Sequence, residues 1–394
     1  MNLAIFGNPP AFKRKLHVGK PNLPRREVFL GNIAKALDDR WLTNDGPIVR
    51  EFEIRVADIL KVEHCVAVAN ATLGLQLLAW ALPLNGEVIV PSFTFIATPH
   101  ALMWENLKPV FADIDPVTHC LDPVDVLYKV SPQTTGICGV HLWGNCCNVK
   151  DLQTIADTHG LQLYYDAAHA FYCSGPDRMI GNYGEAEVFS FHATKFLHTF
   201  EGGCITTNNG DLAEHLRMMR NFGFPGDHGP VRCLGINAKL NEISAAMGLA
   251  NLGALQSVVR HNWNNYLLYK QQLAGLPGVR FMEYNESYSH NYQYVVIEFA
   301  NQWLTANDLK DILWAENVLA RRYFTPCHLL PPYNMPEGTL PVTEEVARKT
   351  LVLPTGTTVQ QEDVLGVCRI IQHVVEDARA IAGGLDANEC SPFA

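Results

Sequence analysis

From about residue 60 to residue 220 the chain repeats one unit: a short apolar run, then a stretch with helical spacing. "HCVAVAN" (64–70) reads as a strand and "TLGLQLLAWAL" (72–82) as a helix, and "EVIVP" (87–91) and "TPHALMWENL" (98–107) repeat the pair. "KPVFADI", "TGICGVHL", "LQLYYD", "AEVFSF" and "GCITT" follow as strands, interleaved with the helical "DPVDVLYKV", "NVKDLQTIADTHG" and "GDLAEHLRMMRNFG". Strands this apolar lack the alternation of a sheet with one wet face. With helices between them they predict an α/β fold whose mostly parallel sheet is covered by helices on both faces.

The character changes near residue 240. "LNEISAAMGLANLGALQSVVRHNWNNYLLYKQQLAG" is a long helical stretch expected to bend or break near Gly253. "YQYVVIEF", "TANDLKDILWAENV" and "ARRYFTP" then predict a smaller α/β domain. The chain divides on this reading into three parts: an N-terminal arm and helix, 1–45, packing on the small domain; a large domain, 46–245; and a connecting helix with the small C-terminal domain, 246–394. A length of 394 residues with 48% hydrophobic content is enough core for two or three such units.

The formal charge of −10 is spread without long runs, so no basic face for nucleic acid is expected. Small anionic ligands stay open, because a local pocket can be positive in an acidic protein. No apolar run reaches eighteen residues, and the charges of "MNLAIFGNPPAFKRK" follow its apolar piece instead of preceding it. No membrane partner and a cytoplasmic location are expected. Eleven cysteines, odd in number and irregular in spacing, suit buried free thiols better than a disulfide framework, and no metal site is expected.

In open α/β sheets ligands bind at the C-terminal ends of the strands. Candidate residues collect there: Asp166 ends one strand, Ser190 another, Ala71 and Thr72 follow a third, and Phe95 follows a fourth. Lys195 lies between "VFSF" and a double glycine. A lysine amine can form a Schiff base with an aldehyde, and pyridoxal phosphate is the common biological case. Such a site also needs a carboxylate for the pyridine nitrogen, N–H groups and hydroxyls for the phosphate, and a ring to stack on. Asp166, the start of the helix at Ala71 and Thr72 with the N–H groups there and at Leu73, Ser190 and Phe95 can supply these, and His169 can hydrogen-bond beside the ring oxygen. Each residue alone has an ordinary explanation: a surface lysine, a turn-capping aspartate, a core phenylalanine, a structural histidine. Their order along the chain and shared rim favour the cofactor.

The pieces "RWLTNDGP", "VANATLGL", "PSFTFIAT", "FADIDP", "GVHLWGN", "YYDAAHAF", "FSFHATKFLHTFEGG", "MMRNFG" and "LGINAKLNEISAAMGL" together resemble the DegT/DnrJ/EryC/StrS sugar aminotransferases, which are fold-type I pyridoxal-phosphate enzymes. The resemblance implies that Lys195 anchors the cofactor, Asp166 meets its pyridine nitrogen, His169 stands near its phenolic oxygen, and Thr72 and Ser190 bind its phosphate. It places Phe95 where the family stacks an aromatic ring. It makes Asn237 a phosphate ligand reaching across a homodimer with shared active sites. Ala71 replaces a usual glycine, which is harmless if its φ is not positive. Lys239 replaces a usual arginine and loses the guanidinium fork.

The implied substrates are L-glutamate and a nucleotide-linked keto sugar. "EGG" after the lysine segment resembles the enzymes acting at C4, and the wording around Lys195 resembles those making dTDP-4-amino-4,6-dideoxyglucose. A GDP-4-keto-6-deoxymannose 4-aminotransferase is the alternative, and a non-enzymatic binding protein on the same scaffold a second one. A dehydratase of this fold would carry histidine in place of Lys195. A large dianionic substrate needs local donors near the rim, for which Thr43, Asn44, Lys239, Arg321 and Arg322 are candidates.

Overall fold

The structure is a computed structural model that describes residues 2–226 and 229–389. Twelve strands are found among the described residues: β1 Leu16–His17, β2 His64–Val68, β3 Glu87–Pro91, β4 Lys108–Ala112, β5 Thr134–Val140, β6 Gln162–Asp166, β7 Glu187–Ser190, β8 Gly203–Thr207, β9 Val279–Phe281, β10 Val295–Phe299, β11 Val318–Leu319 and β12 Thr350–Leu353. Seven of them form one sheet in the order β2-β8-β7-β6-β5-β3-β4. Neighbours from β7 through β4 are parallel, while β8 is antiparallel to both β2 and β7. The C-terminal ends of β2, β3, β6 and β7 and the entry to β8 therefore share one rim.

Successive side chains of these strands enter two separate cores, as a period of two requires. Val66, Val68, Val88, Val90, Cys138, Tyr164, Val188 and Ile205 pack into one. Cys65, Ala67, Ile89, Ile137, Leu163, Tyr165, Phe189 and Cys204 pack into the other. Both faces are dry, so the strands read as apolar runs. The helices that cover them start at side-chain caps: Asn70, Asn148, Asn209 and Asn241 each accept from a backbone N–H in the following turn.

The expected break near Gly253 separates the helix Glu242–Leu252 from the helix Leu255–Leu273. The boundary expected at 245/246 falls inside the first of these, because its cap is Asn241 and it runs without a break to Leu252. Beyond them β12, β10 and β9 form a small antiparallel sheet. The N-terminal segment splits its allegiance. Its β1 pairs in parallel with β11 beside the small sheet. Its helix Arg26–Asp38 instead lies on the helix Glu242–Leu252, with Phe29 edge-on to Phe200 at 5.6 Å. Among the described residues, no helix is long and apolar enough to cross a membrane, and no group of three or more His, Cys, Asp or Glu could hold a metal ion.

Candidate active site

A cavity of about 360 Å³ opens at the shared rim. Ala71, Thr72, Phe95, Asp166, His169, Ser190 and Lys195 all line it. Segments far apart in sequence meet here because β2, β3, β6 and β7 end side by side.

Lys195 follows β7 on a tight turn in which its N–H donates to the His192 carbonyl at 2.8 Å. Burial pulls its ammonium down from 10.5 to about 8, against an opposing pull from Asp166. An amine in this state is partly uncharged near neutral pH and can act as nucleophile or base. Its Nζ lies 3.4 Å from the hydroxyl of Tyr294, the residue just before β10 of the small sheet.

Asp166 is buried, with only 5% of its surface exposed. Burial pushes its carboxyl up, while the Ala168 N–H (3.0 Å), the Thr98 hydroxyl (2.8 Å) and the Lys195 charge favour the ionised form. The Thr98 hydroxyl has one proton to give, and the Thr94 hydroxyl 3.0 Å away can donate to it in turn.

His169 accepts at Nδ1 from the Trp143 backbone N–H at 3.2 Å. A backbone N–H can only donate, so the ring's proton sits on Nε2. Burial and Lys195 hold the imidazole well below its usual pKa, so it is a neutral donor. Trp143 has φ 61°, the left-handed region, and its indole lies flat against His169 and Phe324 at centroid distances of 5.7 and 5.6 Å. The indole N–H donates to His119 Nδ1 at 3.1 Å, and His119 Nε2 donates to Glu298 at 3.0 Å.

The helix Ala71–Ala81 points its start at the cavity. Ala71 is not among the residues with positive φ, so its methyl group carries no strain there. The Leu73 N–H, expected as a free phosphate donor, is taken by the Asn70 side chain at 2.9 Å, since Asn70 is the helix cap. The donors left are the N–H groups of Ala71 and Thr72, the Thr72 hydroxyl and Ser190. Gly203 makes this close approach feasible: a Cβ there would meet the Phe189 carbonyl at 2.7 Å and the Ala71 nitrogen at 2.9 Å. Amine, buried carboxylate and anion-binding helix start in one cavity form a donor set that fits pyridoxal phosphate.

Phe95, expected as the stacking ring, lines the cavity with 58% of its surface exposed and meets Phe324 edge-on at 6.3 Å. The remaining expected residues lie outside the cavity lining. Asn237 does not open a helix: it sits in an isolated bridge with Asn221, four residues before the Asn241 cap, with its side chain exposed. Lys239 places its ammonium over the Phe222 ring at 4.7 Å. Thr43 and Asn44 belong to an exposed loop anchored by Asp45, which accepts from buried Arg220 at 2.8 Å. Arg321 stacks over Trp314 at 5.7 Å. Arg322 is already committed: it donates to Asn307 at 2.7 Å and to the Ala347 and Arg348 carbonyls at 2.6 and 3.0 Å, at the end of the helix Pro341–Lys349.

Sequence reasoning did not find Thr98, Trp143, Tyr294, Tyr323 or Phe324. Thr98 closes "PSFTFIAT" and was within reach, since it stands in the same motif as Phe95, in the first turn of the helix Ala97–Trp104. Trp143 stands inside "GVHLWGN", but nothing in the spacing announces its backbone conformation. Tyr294, Tyr323 and Phe324 enter from about a hundred residues or more further along, inside "YQYVVIEF" and "ARRYFTP", which sequence reasoning assigned to the small domain and not to the site.

The pattern that defines the DegT/DnrJ/EryC1/StrS aminotransferase family matches residues 25–372. A dTDP-4-amino-4,6-dideoxy-D-glucose transaminase of Shigella dysenteriae is 32% identical over 375 residues, 94% of this chain and 100% of that protein. A GDP-perosamine synthase of Caulobacter vibrioides is 31% identical, covering 92% of this chain and 98% of its own. The crystal structure of DesI in the presence of its TDP-sugar product superposes with a TM-score of 0.93 at 46% identity, over 98% of this chain and 99% of that one. The protein belongs to the DegT/DnrJ/EryC1/StrS aminotransferase family and is a pyridoxal-phosphate-dependent transaminase of fold type I.

Proposed function

We propose that this enzyme moves the amino group of L-glutamate to C4 of a nucleotide-linked 4-keto-6-deoxy sugar. The acceptor we assign is dTDP-4-keto-6-deoxyglucose and the product dTDP-4-amino-4,6-dideoxyglucose. The observation that carries this reading is the 46% identity, across nearly the full length of both chains, to DesI, which was crystallised with a TDP-sugar product. The name of the Shigella relative, a dTDP-4-amino-4,6-dideoxy-D-glucose transaminase, carries the nucleotide and sugar assigned here.

Bound pyridoxal phosphate supplies an aldehyde carbon and an electron-withdrawing ring. In our reading Lys195 holds that aldehyde carbon at rest. When displaced, its amine would be the base that moves a proton at the donor's α-carbon, a role that suits an amine whose ammonium burial pulls down. Asp166 keeps the ring nitrogen protonated, its carboxylate fixed by Thr98 and Ala168. His169 offers its Nε2 proton to the ring oxygen. Ala71, Thr72 and Ser190 hold the phosphate. Tyr294, Tyr323 and Phe324 close the cavity on the side of the small sheet and limit water at the reacting atoms.

A second subunit completes this arrangement in our reading. Asn237 and Lys239 stand on a face that also exposes Phe222, Phe224 and Leu234, which suits a second copy of the chain.

The test is a panel of dTDP-, GDP- and UDP-linked 4-keto and 3-keto sugars with L-glutamate, with product position read by NMR. The expected product carries its amine on C4 of the dTDP sugar. An amine on C3 overturns the assignment. A higher kcat/KM for the GDP sugar transfers the enzyme to the perosamine-forming reading that the Caulobacter relative supports.

A further inference from the structure

The segment that carries Lys195 is held from outside the family's matched region. Residues 19–22 belong to the N-terminal arm, upstream of residue 25 where the family match begins. They run beside residues 194–198. Gly19 has φ 72°, and a Cβ on it would lie 3.1 Å from the Thr194 Cβ, so the arm approaches the lysine turn as closely as a glycine permits.

Asn22 is the hub of this contact. It is 5% exposed and uses every polar group that its side chain has. Its Nδ2 donates to the carbonyl of Phe196, the residue after the lysine, at 3.2 Å. Its Oδ1 accepts from the Thr357 N–H and hydroxyl, both at 2.9 Å. Its backbone carbonyl accepts from His198 Nε2 at 2.7 Å. Nδ1 of His198 accepts from the Phe200 N–H at 3.3 Å, so the ring is the neutral Nε2–H tautomer and a true donor. One side chain therefore joins three segments: the arm, the lysine loop and the loop after β12.

We propose that Asn22 is a positioning residue for Lys195, clamping the lysine loop to the small domain so that the amine stays in its apolar cavity. The argument is geometric. A backbone carbonyl one residue from Lys195 is fixed on one side by Asn22, and the Phe196 N–H is fixed on the other by Gln293 at 3.0 Å. With the peptide groups on both sides of Phe196 held, the backbone that carries the lysine stem is fixed beside the cavity that Lys195 lines. Asparagine is required because the site needs one donor and one acceptor on a short side chain. Aspartate would set a carboxylate against the Phe196 carbonyl, and leucine would leave buried polar groups unpaired.

The inference rests on Lys195 being the reactive amine but needs neither cofactor nor sugar to be tested. Lys195 is titrated in the cofactor-free protein by competitive labelling with acetic anhydride, read by mass spectrometry. In the wild type, half-maximal labelling is expected near pH 8. In Asn22→Leu the amine escapes toward water, and its midpoint moves up toward 10.5. A rise of one pH unit would lower labelling at pH 8 by roughly fivefold. Thr357→Val removes only the hydroxyl donor to Asn22 and is expected to shift the midpoint in the same direction by less, which guards against poor folding of Asn22→Leu. Folded variants whose Lys195 titrates as in the wild type overturn the proposal. A failed sugar panel with an intact labelling shift would instead locate the error in the substrate.

Discussion

Replacing Lys195 by methionine should abolish turnover and yet stabilise the cofactor-free protein at neutral pH. The magnitude follows from the site. Burial holds the ammonium down from 10.5 to about 8, and each pH unit corresponds to about 1.4 kcal/mol. Keeping Lys195 charged in the folded state therefore costs up to about 3 kcal/mol. Water reaching the partly exposed stem reduces this, as does the loss of a positive neighbour for Asp166. The sign runs with pH. Below 8 the lysine is charged in both folded and unfolded chains, and the folded chain bears the full cost. Between 8 and 10.5 the folded protein has released a proton that the unfolded chain still binds, so wild-type stability rises with pH. The advantage of Lys195→Met should be greatest near pH 7 and shrink steadily toward pH 10.5. Urea unfolding of both proteins at several pH values, without cofactor, measures it. A variant less stable than wild type at pH 7, or a difference flat across this range, would refute the claim that the amine is held in an apolar cavity.

Gly203→Ala should weaken cofactor binding much more than it weakens the fold's secondary structure. Its Cβ would press on the Phe189 carbonyl and the Ala71 nitrogen, both under 3.0 Å away, and push the helix start off the cavity. Equilibrium dialysis against pyridoxal phosphate checks this, and unchanged affinity counts against Ala71 as a phosphate donor. For the shared site, mixing Lys195→Ala with Asn237→Ala subunits gives hybrids in which one site carries both defects and the other carries neither. Random exchange should restore roughly a quarter of wild-type activity. No recovery despite proven exchange would place Asn237 within its own subunit's chemistry.

The sheet was legible because both its faces are dry. Val88 and Ile89, side by side in sequence, enter different cores, and such a strand has no polar side to blur its signal. The rim residues were legible because local motifs carry them: Asp166 ends a strand and Lys195 follows one. What failed were statements about partners. Leu73 was expected to be a free donor, but "NAT" is also a capping signal, and the nearer Asn70 takes its N–H. Arg322 was a candidate for a substrate phosphate, but the carbonyls at the end of a helix already use its guanidinium. A charge in a sequence does not disclose what neutralises it. Tyr294 and Phe324 were beyond reach for another reason. They enter the cavity only because the small sheet folds back on the large one, a tertiary fact with no local trace.

The clamp at Asn22 also has a consequence in time. Asn22 leaves the ribosome well before Thr357, which lies 335 residues behind it. At about 5–20 residues per second, that separation amounts to roughly 17 to 67 seconds of synthesis. All seven strands of the large sheet are complete by Thr207, well inside that interval. A nascent chain can therefore own its sheet, its helix start and its lysine while the arm still waits for its partner. A ribosome stalled before residue 357 would display a lysine loop bonded to Asn22 but not yet tied to the loop after β12.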